Sequence, residues 1–207
     1  MNTHEKIKHW EENQGVDILK SLGIKSGDYV IDFGCGFGHY MIPAAAIVEA
    51  NGKVFALEKN KDILRYLNTL KADKNMVNVN CMYSKEENLL HFEDSSIDCI
   101  LLYDILHGEF NRFSLLKEAN RVLKDNGILS ILPFHLSNFR DRNGNKKKYN
   151  INQLINEITE FGFTLSNRIE NMGIHFEKYH SPYYIEKGGV EFEELERGTI
   201  YNFKKIE

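Results

Sequence analysis

Short apolar runs alternate with longer amphipathic stretches along most of this 207-residue chain. A short apolar run is typical of a strand covered on both faces, and an amphipathic stretch is typical of a helix packed against it. The alternation therefore predicts βαβ units, and with them an α/β fold built on a doubly wound, mostly parallel sheet. The first five predicted strands are residues 29–33, 53–57, 77–82, 97–103 and 128–132.

The C-terminal part of the chain breaks this alternation. Residues 163–169 and 199–206 have the composition of two further strands, and the lack of a predicted helix between them favours antiparallel pairing. We therefore predict a seven-stranded sheet in a single domain of residues 1–207. The predicted parts are an N-terminal cap helix (1–22), a core (23–170), a lid-like insertion (171–198) and a last strand (199–207).

Composition and charge narrow the classes of function. The chain is 42% hydrophobic and 27% charged, and its net charge of −4 gives no general attraction to nucleic acid or anionic lipid. Residues 1–20 are polar and broken by charge, and no apolar run is long enough to cross a bilayer. The three cysteines form no CxxC pair, which argues against a structural zinc site. We expect a cytoplasmic protein without a membrane or nucleic-acid partner; a homodimer is left open.

A glycine-rich loop follows the first predicted strand and opens a helix. Its sequence over residues 30–38 is VIDFGCGFG, so that Gly34, Gly36 and Gly38 have a GxGxG spacing. A dinucleotide site favours GxGxxG, but His39 stands where the third glycine belongs. Asp32 would place a negative charge beside a bound pyrophosphate, whereas the same charge suits a ligand with an ammonium and a sulfonium group.

A second acidic residue indicates a ligand that contains adenosine. Glu58 ends the second predicted strand, and ligands of such sheets bind outside the carboxyl ends of the strands. A carboxylate there can accept two hydrogen bonds from a ribose diol. Enzymes that use NAD share this feature, so Glu58 alone indicates only the ribose. Together with Asp32 and the GxGxG spacing it favours S-adenosylmethionine (SAM).

Over residues 23–134 the chain resembles the class I SAM-dependent methyltransferases, especially the UbiE-like (type 11) group. The loop 30–38 is similar to the first motif of that family, and Glu58 falls at its ribose-binding acid. Three further segments are similar to family motifs, namely 85–89 (KEENL), 92–98 (FEDSSID) and 116–127 (LKEANRVLKDNG). The resemblance implies a Rossmann-like class I methyltransferase fold with a small cap.

The resemblance also implies the contacts with SAM. The loop glycines would surround its methionine part, Asp32 would hold its amino group through water, and Glu58 would take the ribose. Tyr103 would lie near the sulfonium. Lys85 stands where the family often has an acid for the adenine amino group, so the adjacent Glu86 is expected to make that contact. The expected cofactor residues are Asp32, Gly34, Cys35, Gly36, Gly38, Glu58, Lys59, Glu86 and Tyr103.

Methyl transfer from SAM is an in-line displacement in which positioning supplies much of the catalysis. A general base is needed only when the acceptor must lose a proton. His107, just beyond the fourth predicted strand, is the candidate base because imidazole titrates near neutrality; the alternative is that it only caps a turn. Asp104 is expected to be structural. His135, after the fifth predicted strand, is a candidate contact to the acceptor, with a solvated loop histidine as the alternative.

The segment 173–184 is rich in aromatic residues and histidine. One interpretation is a lid over the acceptor, and another is a hairpin packed on the sheet by its aromatic side chains. A metal site of His175, Glu177 and His180 is set aside because its spacing matches no helix-borne pair such as HExxH, and no metal is predicted. The expected acceptor contacts are His107, His135, Tyr179 and His180.

The leading prediction is a SAM-dependent methyltransferase that acts on a small molecule. An oxidoreductase linked to NAD is the alternative within the enzymes, and a non-catalytic, SAM-binding regulatory protein is the alternative outside them. The acceptor atom is left open among O, N, S and C.

Overall fold

The computed structural model of the protein describes residues 3–84, 91–107, 112–175 and 196–206. Within these ranges, seven strands form one sheet. The strands are β1 (Tyr29–Phe33), β2 (Lys53–Glu58), β3 (Val79–Tyr83), β4 (Ile97–Tyr103), β5 (Leu123–Leu132), β6 (Phe163–His175) and β7 (Glu196–Lys205).

The strand order across the sheet is β3-β2-β1-β4-β5-β7-β6. The first five strands pair in parallel, and β7 pairs antiparallel with both β5 and β6. The chain winds outward from β1 toward β3 and then crosses back to β4, so the strand order reverses between β1 and β4. In sheets of this kind, ligands bind at that reversal, outside the carboxyl ends of the strands.

Helices cover both faces of the sheet. They are α1 (Thr3–His9), a π-helical turn (Trp10–Gln14), α2 (Gly15–Leu22), α3 (Met41–Val48), α4 (Lys61–Asp73), α5 (Arg112–Val122) and α6 (Ile151–Thr159). One core cluster joins the sheet to the helices before residue 74 and includes Trp10, Leu19, Ala44 and Leu67. The other joins it to α5 and α6 and includes Leu115, Ala119, Leu154 and Ile158. The predicted doubly wound, mostly parallel sheet of seven strands is confirmed.

Strand β5 begins earlier than the sequence pattern predicts. The turn residues 125–127 suggested a start at Ile128, but the chain enters the sheet at Leu123, directly after α5. Leu123 pairs with Ile97, and a register shift precedes the pairing of Ile128 with Cys99. The shift absorbs the extra residues, so the turn lies within the strand as an irregularity.

The last two strands also extend beyond their predicted bounds. Residues 171–175 continue β6 and residues 196–198 begin β7, so both ends of the segment 171–198, predicted as a lid-like insertion, belong to strands. A register shift between Ile169 and Gly173 lets the pairing resume, with Gly173 opposite Gly198. Both positions need glycine, because an added Cβ would lie 2.7 Å from a side-chain carbon of Leu132 or Phe134, respectively. The remaining lid residues 176–195 lie outside the described ranges.

A buried ion pair joins α5 to α6. The guanidinium of Arg112 donates two hydrogen bonds to the carboxylate of Glu157, at 2.6 and 2.9 Å, and both side chains are almost fully buried. The Tyr149 hydroxyl donates a further bond of 2.9 Å to the same carboxylate. The pair therefore fixes α6 and the segment after β5 against the start of α5.

We expect Arg112→Met to destabilise the protein by about 3–5 kcal/mol, because Glu157 would stay buried without its cationic partner. Urea unfolding at pH 7 measures the change. The exposed pair of Arg65 and Asp62 is the matched control, and Arg65→Met should cost at most about 0.5 kcal/mol. Adding Glu157→Met to Arg112→Met should restore most of the loss. A similar, small loss in both single variants would contradict a structural role for the buried pair.

Candidate functional site

The carboxyl ends of β1, β2, β4 and β5 meet at one edge of the sheet. The glycine loop, residues 34–40, leaves this edge after β1 and leads into α3. Its start is fixed to the neighbouring strand, because the backbone amides of Gly34 and Cys35 donate to the Leu57 carbonyl at 2.9 and 3.1 Å. The loop is therefore anchored at the point where the strand order reverses.

The three loop glycines have left-handed backbone conformations but different surroundings. Gly34, Gly36 and Gly38 have φ of 74°, 51° and 85°. A Cβ at Gly34 would lie 2.6 Å from Ile105, and one at Gly38 would lie 2.8 Å from Met41. A Cβ at Gly36 would have no atom within 4 Å. The first and third glycines thus allow close packing, whereas the second leaves an open face over which a ligand can approach the backbone.

Asp32 is the buried charge of the site. Its side chain lies near the carboxyl end of β1, and the residue is only 3% exposed. Burial and the nearby charge of Glu58 raise the pKa of the carboxyl to about 7, against the lowering effect of a hydrogen bond from the Met41 amide. One carboxylate oxygen, Oδ2, has no hydrogen-bond partner among the described residues. A buried carboxylate with an unpartnered oxygen matches a cationic ligand group.

Glu58 faces the loop from the end of β2. Its two carboxylate oxygens accept the backbone amides of Gly36 at 3.1 Å and Asn60 at 2.7 Å. Each oxygen keeps a further lone pair, so the carboxylate can still accept hydroxyl groups. Lys59 is exposed at the same strand end, and its contact with a cofactor stays a prediction.

Two expected cofactor residues use their side chains within the protein. The thiol of Cys35 is buried in the core, and that burial raises its pKa well above the ordinary value. The Tyr103 hydroxyl donates to Ser130 Oγ at 2.8 Å, and Ser130 donates in turn to Asn202 at 2.7 Å. Only the Tyr103 ring and the Cys35 backbone are therefore offered to a ligand, and their predicted contacts stay predictions.

The N-terminal helices hold the glycine loop from outside. His39 Nδ1 lies 2.6 Å from a carboxylate oxygen of Glu11, and both residues are buried. The ring of Tyr40 packs edge-on against Trp10 and Tyr103, with centroids 4.8 and 4.4 Å away. The sequence pattern marks His39 only as the residue that replaces the third glycine of a dinucleotide motif, and it does not single out Glu11 or Tyr40. The signal was present, because a large polar residue in a tight loop needs a partner when it is buried.

Across the edge from the loop, three histidines surround Asp104. His107 Nδ1 lies 3.4 Å from Asp104 Oδ1, and His135 Nε2 lies 3.6 Å from Oδ2. His175 Nε2 lies closer to Oδ2, at 2.6 Å. The predicted acceptor contacts His107 and His135 are therefore brought together, with ring centroids 4.9 Å apart. Asp104, expected to be structural, lies at the centre of the group.

The charge of Asp104 is stabilised by its neighbours. Burial alone would raise the pKa of this carboxyl, but interactions with His107 and His175 outweigh that effect and lower the pKa below its ordinary value. His175 Nδ1 lies 3.0 Å from the carboxylate of Glu196, so both ring nitrogens of this histidine face carboxylates.

Three other predicted site residues, Glu86, Tyr179 and His180, lie outside the described ranges. Among the helices that are described, none is long and apolar enough to cross a membrane.

A family model described as a methyltransferase domain matches residues 24–187 of the chain. A demethylmenaquinone methyltransferase of Staphylococcus haemolyticus is 29% identical over 128 residues, which cover 62% of this chain and 51% of that protein. A chloroplastic 2-phytyl-1,4-beta-naphthoquinone methyltransferase of Arabidopsis thaliana is 32% identical over 118 residues, which cover 56% and 45%. The chain thus spans about half the length of the curated relatives it matches.

Solved structures share the fold over nearly the whole chain. A SAM dependent methyltransferase from Aquifex aeolicus superposes with a TM-score of 0.69 over 98% of both chains, at 19% sequence identity. The YcgJ protein of Bacillus subtilis superposes with a TM-score of 0.66 over 93% of this chain and 98% of that protein, at 16% identity. At such identities the likeness shows the architecture of the sheet and helices.

The raised pKa of Asp32 has a consequence for stability. Between its ordinary value of 3.8 and about 7, the folded protein holds a proton at Asp32 that the unfolded chain has released. The contribution of this group to stability is therefore greatest below pH 3.8 and is lost as the pH rises to about 7.

We expect Asp32→Asn to change this pH dependence in the ligand-free protein. Relative to the variant, the wild type should lose unfolding free energy between pH 4 and 7, with a limiting slope of about 1.4 kcal/mol per pH unit. Urea unfolding across that range measures it. Asp62→Asn, at a side chain that is 76% exposed, is the control and should follow the wild type. If the unfolding free energies of the wild type and Asp32→Asn changed in parallel with pH, the raised pKa of Asp32 would be refuted.

Proposed function

This chain belongs to the methyltransferase-domain family, and from that premise we propose that it transfers the methyl group of SAM to a small-molecule acceptor. The family assignment confirms the predicted resemblance to UbiE-like class I methyltransferases. The observation that carries the proposal is the buried carboxylate of Asp32, with its unpartnered Oδ2, close to Glu58 and the open face of Gly36. A pyrophosphate would meet a negative charge there, which disfavours the NAD-linked alternative.

The residues at the loop fit the chemical parts of SAM. Asp32 would hold the ammonium group, directly or through one water, because the two charges attract strongly where little solvent screens them. Glu58 would accept the ribose hydroxyl groups with its remaining lone pairs. Gly36 would let the ligand lie against the backbone, with Gly34, Cys35 and Gly38 shaping the turn around it. Lys59 and Glu86 complete the proposed cofactor contacts.

When bound, SAM supplies a methyl group made electrophilic by its sulfonium. The protein then has to align the acceptor with that methyl group and keep water away, and both effects are matters of positioning. Tyr103 and Tyr40 form an aromatic wall between the glycine loop and β4, and burial of their rings excludes water from this side. The ring of Tyr103 is the proposed neighbour of the sulfonium.

The histidines around Asp104 are the proposed acceptor side of the site. The His107 side chain is 27% exposed and its Nδ1 faces Asp104, so the other ring nitrogen is the one that can accept a proton from an acceptor hydroxyl group. The carboxylate of Asp104, 3.4 Å away, would stabilise the imidazolium that forms. His135, Tyr179 and His180 are further proposed contacts. Quinone-type molecules are the first acceptors to test, because the two relatives named above act on such compounds by name.

Calorimetric titration with SAM and, separately, with NAD tests the cofactor. We expect a micromolar dissociation constant for SAM and no heat with NAD. Glu58→Ala should weaken SAM binding at least about tenfold, because a hydrogen-bonding group for a polar ligand is lost. Asp62→Asn, an exposed acid outside the site, should bind as the wild type does.

Two outcomes of this titration, and one outcome of an activity assay, would count against the proposal. Binding of NAD without binding of SAM would support the oxidoreductase alternative. Unchanged SAM affinity in Glu58→Ala would show that SAM does not bind at the proposed site. Tight SAM binding with no S-adenosylhomocysteine formed from any acceptor would favour the non-catalytic alternative.

A further inference from the structure

Asp104, His107 and His135, here called the histidine cluster, bring one carboxylate and two imidazoles close together. One oxygen or nitrogen atom of each lies within 4.8 Å of the corresponding atom of the other two. Asp104 directly follows β4, His107 lies three residues further on, and His135 is the third residue after β5. Because β4 and β5 are neighbouring parallel strands, the three residues lie at one edge of the sheet.

The distances within the histidine cluster suit one bound ion. Bonds of about 2.1 Å from a divalent ion to nitrogen or oxygen place tetrahedral ligand atoms about 3.4 Å apart. Asp104 faces each histidine with a different carboxylate oxygen, Oδ1 at 3.4 Å from His107 Nδ1 and Oδ2 at 3.6 Å from His135 Nε2. Asp104 Oδ1 and His107 Nδ1 face each other across the first of these gaps, and neither has a hydrogen-bond partner among the described residues. Both atoms are buried, so an ion that binds both would satisfy two polar atoms that otherwise lack a hydrogen bond.

A second layer orients the carboxylate of the cluster. His175 Nε2 lies 2.6 Å from Asp104 Oδ2, and Glu196 lies 3.0 Å from the other ring nitrogen of His175. The ring of Phe134 stacks on His175, with centroids 4.5 Å apart and planes 23° apart. Partners of this kind fix the direction of ligand side chains in metal sites. Asp104 and His135 also have left-handed backbones, with φ of 52° and 54°, which the surrounding contacts must maintain.

We propose that the histidine cluster binds one divalent transition-metal ion, with two imidazoles and one carboxylate as its protein ligands. Imidazole nitrogen favours zinc, iron, nickel and cobalt over magnesium and calcium. Three protein ligands leave at least one coordination position for another group, as in catalytic rather than structural sites. His175 is a positioning residue that acts through Asp104.

The role of the ion in methyl transfer rests on the proposed function, whereas the binding of the ion does not. An acceptor hydroxyl group that takes the open position would lose its proton to water more readily, because the cation stabilises the oxygen anion. With the ion bound, His107 would be a metal ligand and would not act as the base. In the metal-free protein, His107 would accept the proton itself. The cluster therefore selects acceptors that carry an ionisable oxygen.

Cobalt(II) is the probe for this site, because its visible absorption reports ligand number and type. The full chain, stripped with a chelator, should develop a saturable absorption at about one ion per chain, and zinc should displace it. His107→Ala and His135→Ala should each weaken cobalt binding at least about a hundredfold, and His175→Ala should weaken it about 10–100-fold. His91→Ala is the matched control, since His91 is exposed and outside the cluster, and it should bind as the wild type does.

A variant that gains a spectroscopic band cannot be explained by misfolding alone, so a cysteine variant complements the alanine variants. His107→Cys should add a sulfur-to-cobalt charge-transfer band that the wild type lacks, although the wild type has three cysteines of its own. The proposal is overturned if cobalt shows no saturable binding, if the alanine variants bind it as tightly as the wild type, or if His107→Cys adds no band. SAM titrations on the same stripped samples keep the two claims separate. Cobalt binding without SAM binding refutes the methyltransferase, and SAM binding without cobalt binding refutes the metal site.

Discussion

Asp32 brings a carboxylate into a part of the sheet that water hardly reaches. The folded chain supplies one amide hydrogen bond to this group and adds the charge of Glu58 nearby, so its ionised form is disfavoured. Such an arrangement costs stability in the absence of a ligand. It would become favourable with a cation against the unpartnered oxygen, and the open space beside Gly36 lies in the same loop. The proposed cofactor site depends on this one imbalance of charge.

The antiparallel pair of β6 and β7 contacts both the glycine loop and the histidine cluster. The backbone of Ile174 exchanges two hydrogen bonds with the Tyr40 hydroxyl at the end of the glycine loop, at 2.8 and 2.9 Å. The next residue, His175, contacts Asp104 on the acceptor side. A displacement of the end of β6 would therefore change the glycine loop and the histidine cluster together. The two antiparallel strands thus do more than complete the sheet, since they contact both the proposed cofactor side and the proposed acceptor side.

The sequence predicts those parts of the site that depend on local rules. Parallel strands buried on both faces have a strong apolar pattern, and the loop glycines and Asp32 are adjacent in the chain. Their roles in the fold therefore follow from short segments. Glu58 is separated in sequence, but the general rule that ligands bind at the carboxyl ends of parallel strands places it at the same edge.

Contacts between distant segments are harder to predict. Asp104 follows β4, His135 follows β5 and His175 ends β6. The approach of His175 to the other two depends on the register of β6 after an irregularity that no local pattern indicates. The partnership of Glu11 with His39 depends on a π-helical turn, which places a buried charge in an otherwise ordinary amphipathic helix. The bounds of β6 and β7 were missed for a related reason. Gly173 and Gly198 resemble strand breakers in sequence, yet their lack of a Cβ is what lets the two strands continue past Leu132.

A crystal structure of the protein with SAM would show whether the buried carboxylate of Asp32 receives the cofactor. We expect the SAM ammonium within hydrogen-bond distance of Asp32 Oδ2, or joined to it by one water, and the ribose hydroxyl groups on Glu58. We also expect the methionine part of SAM against Gly36, with the sulfonium directed toward Tyr103 and the histidines beyond it. SAM bound elsewhere, or bound at the loop with its carboxylate or its adenine ring against Asp32, would contradict this arrangement.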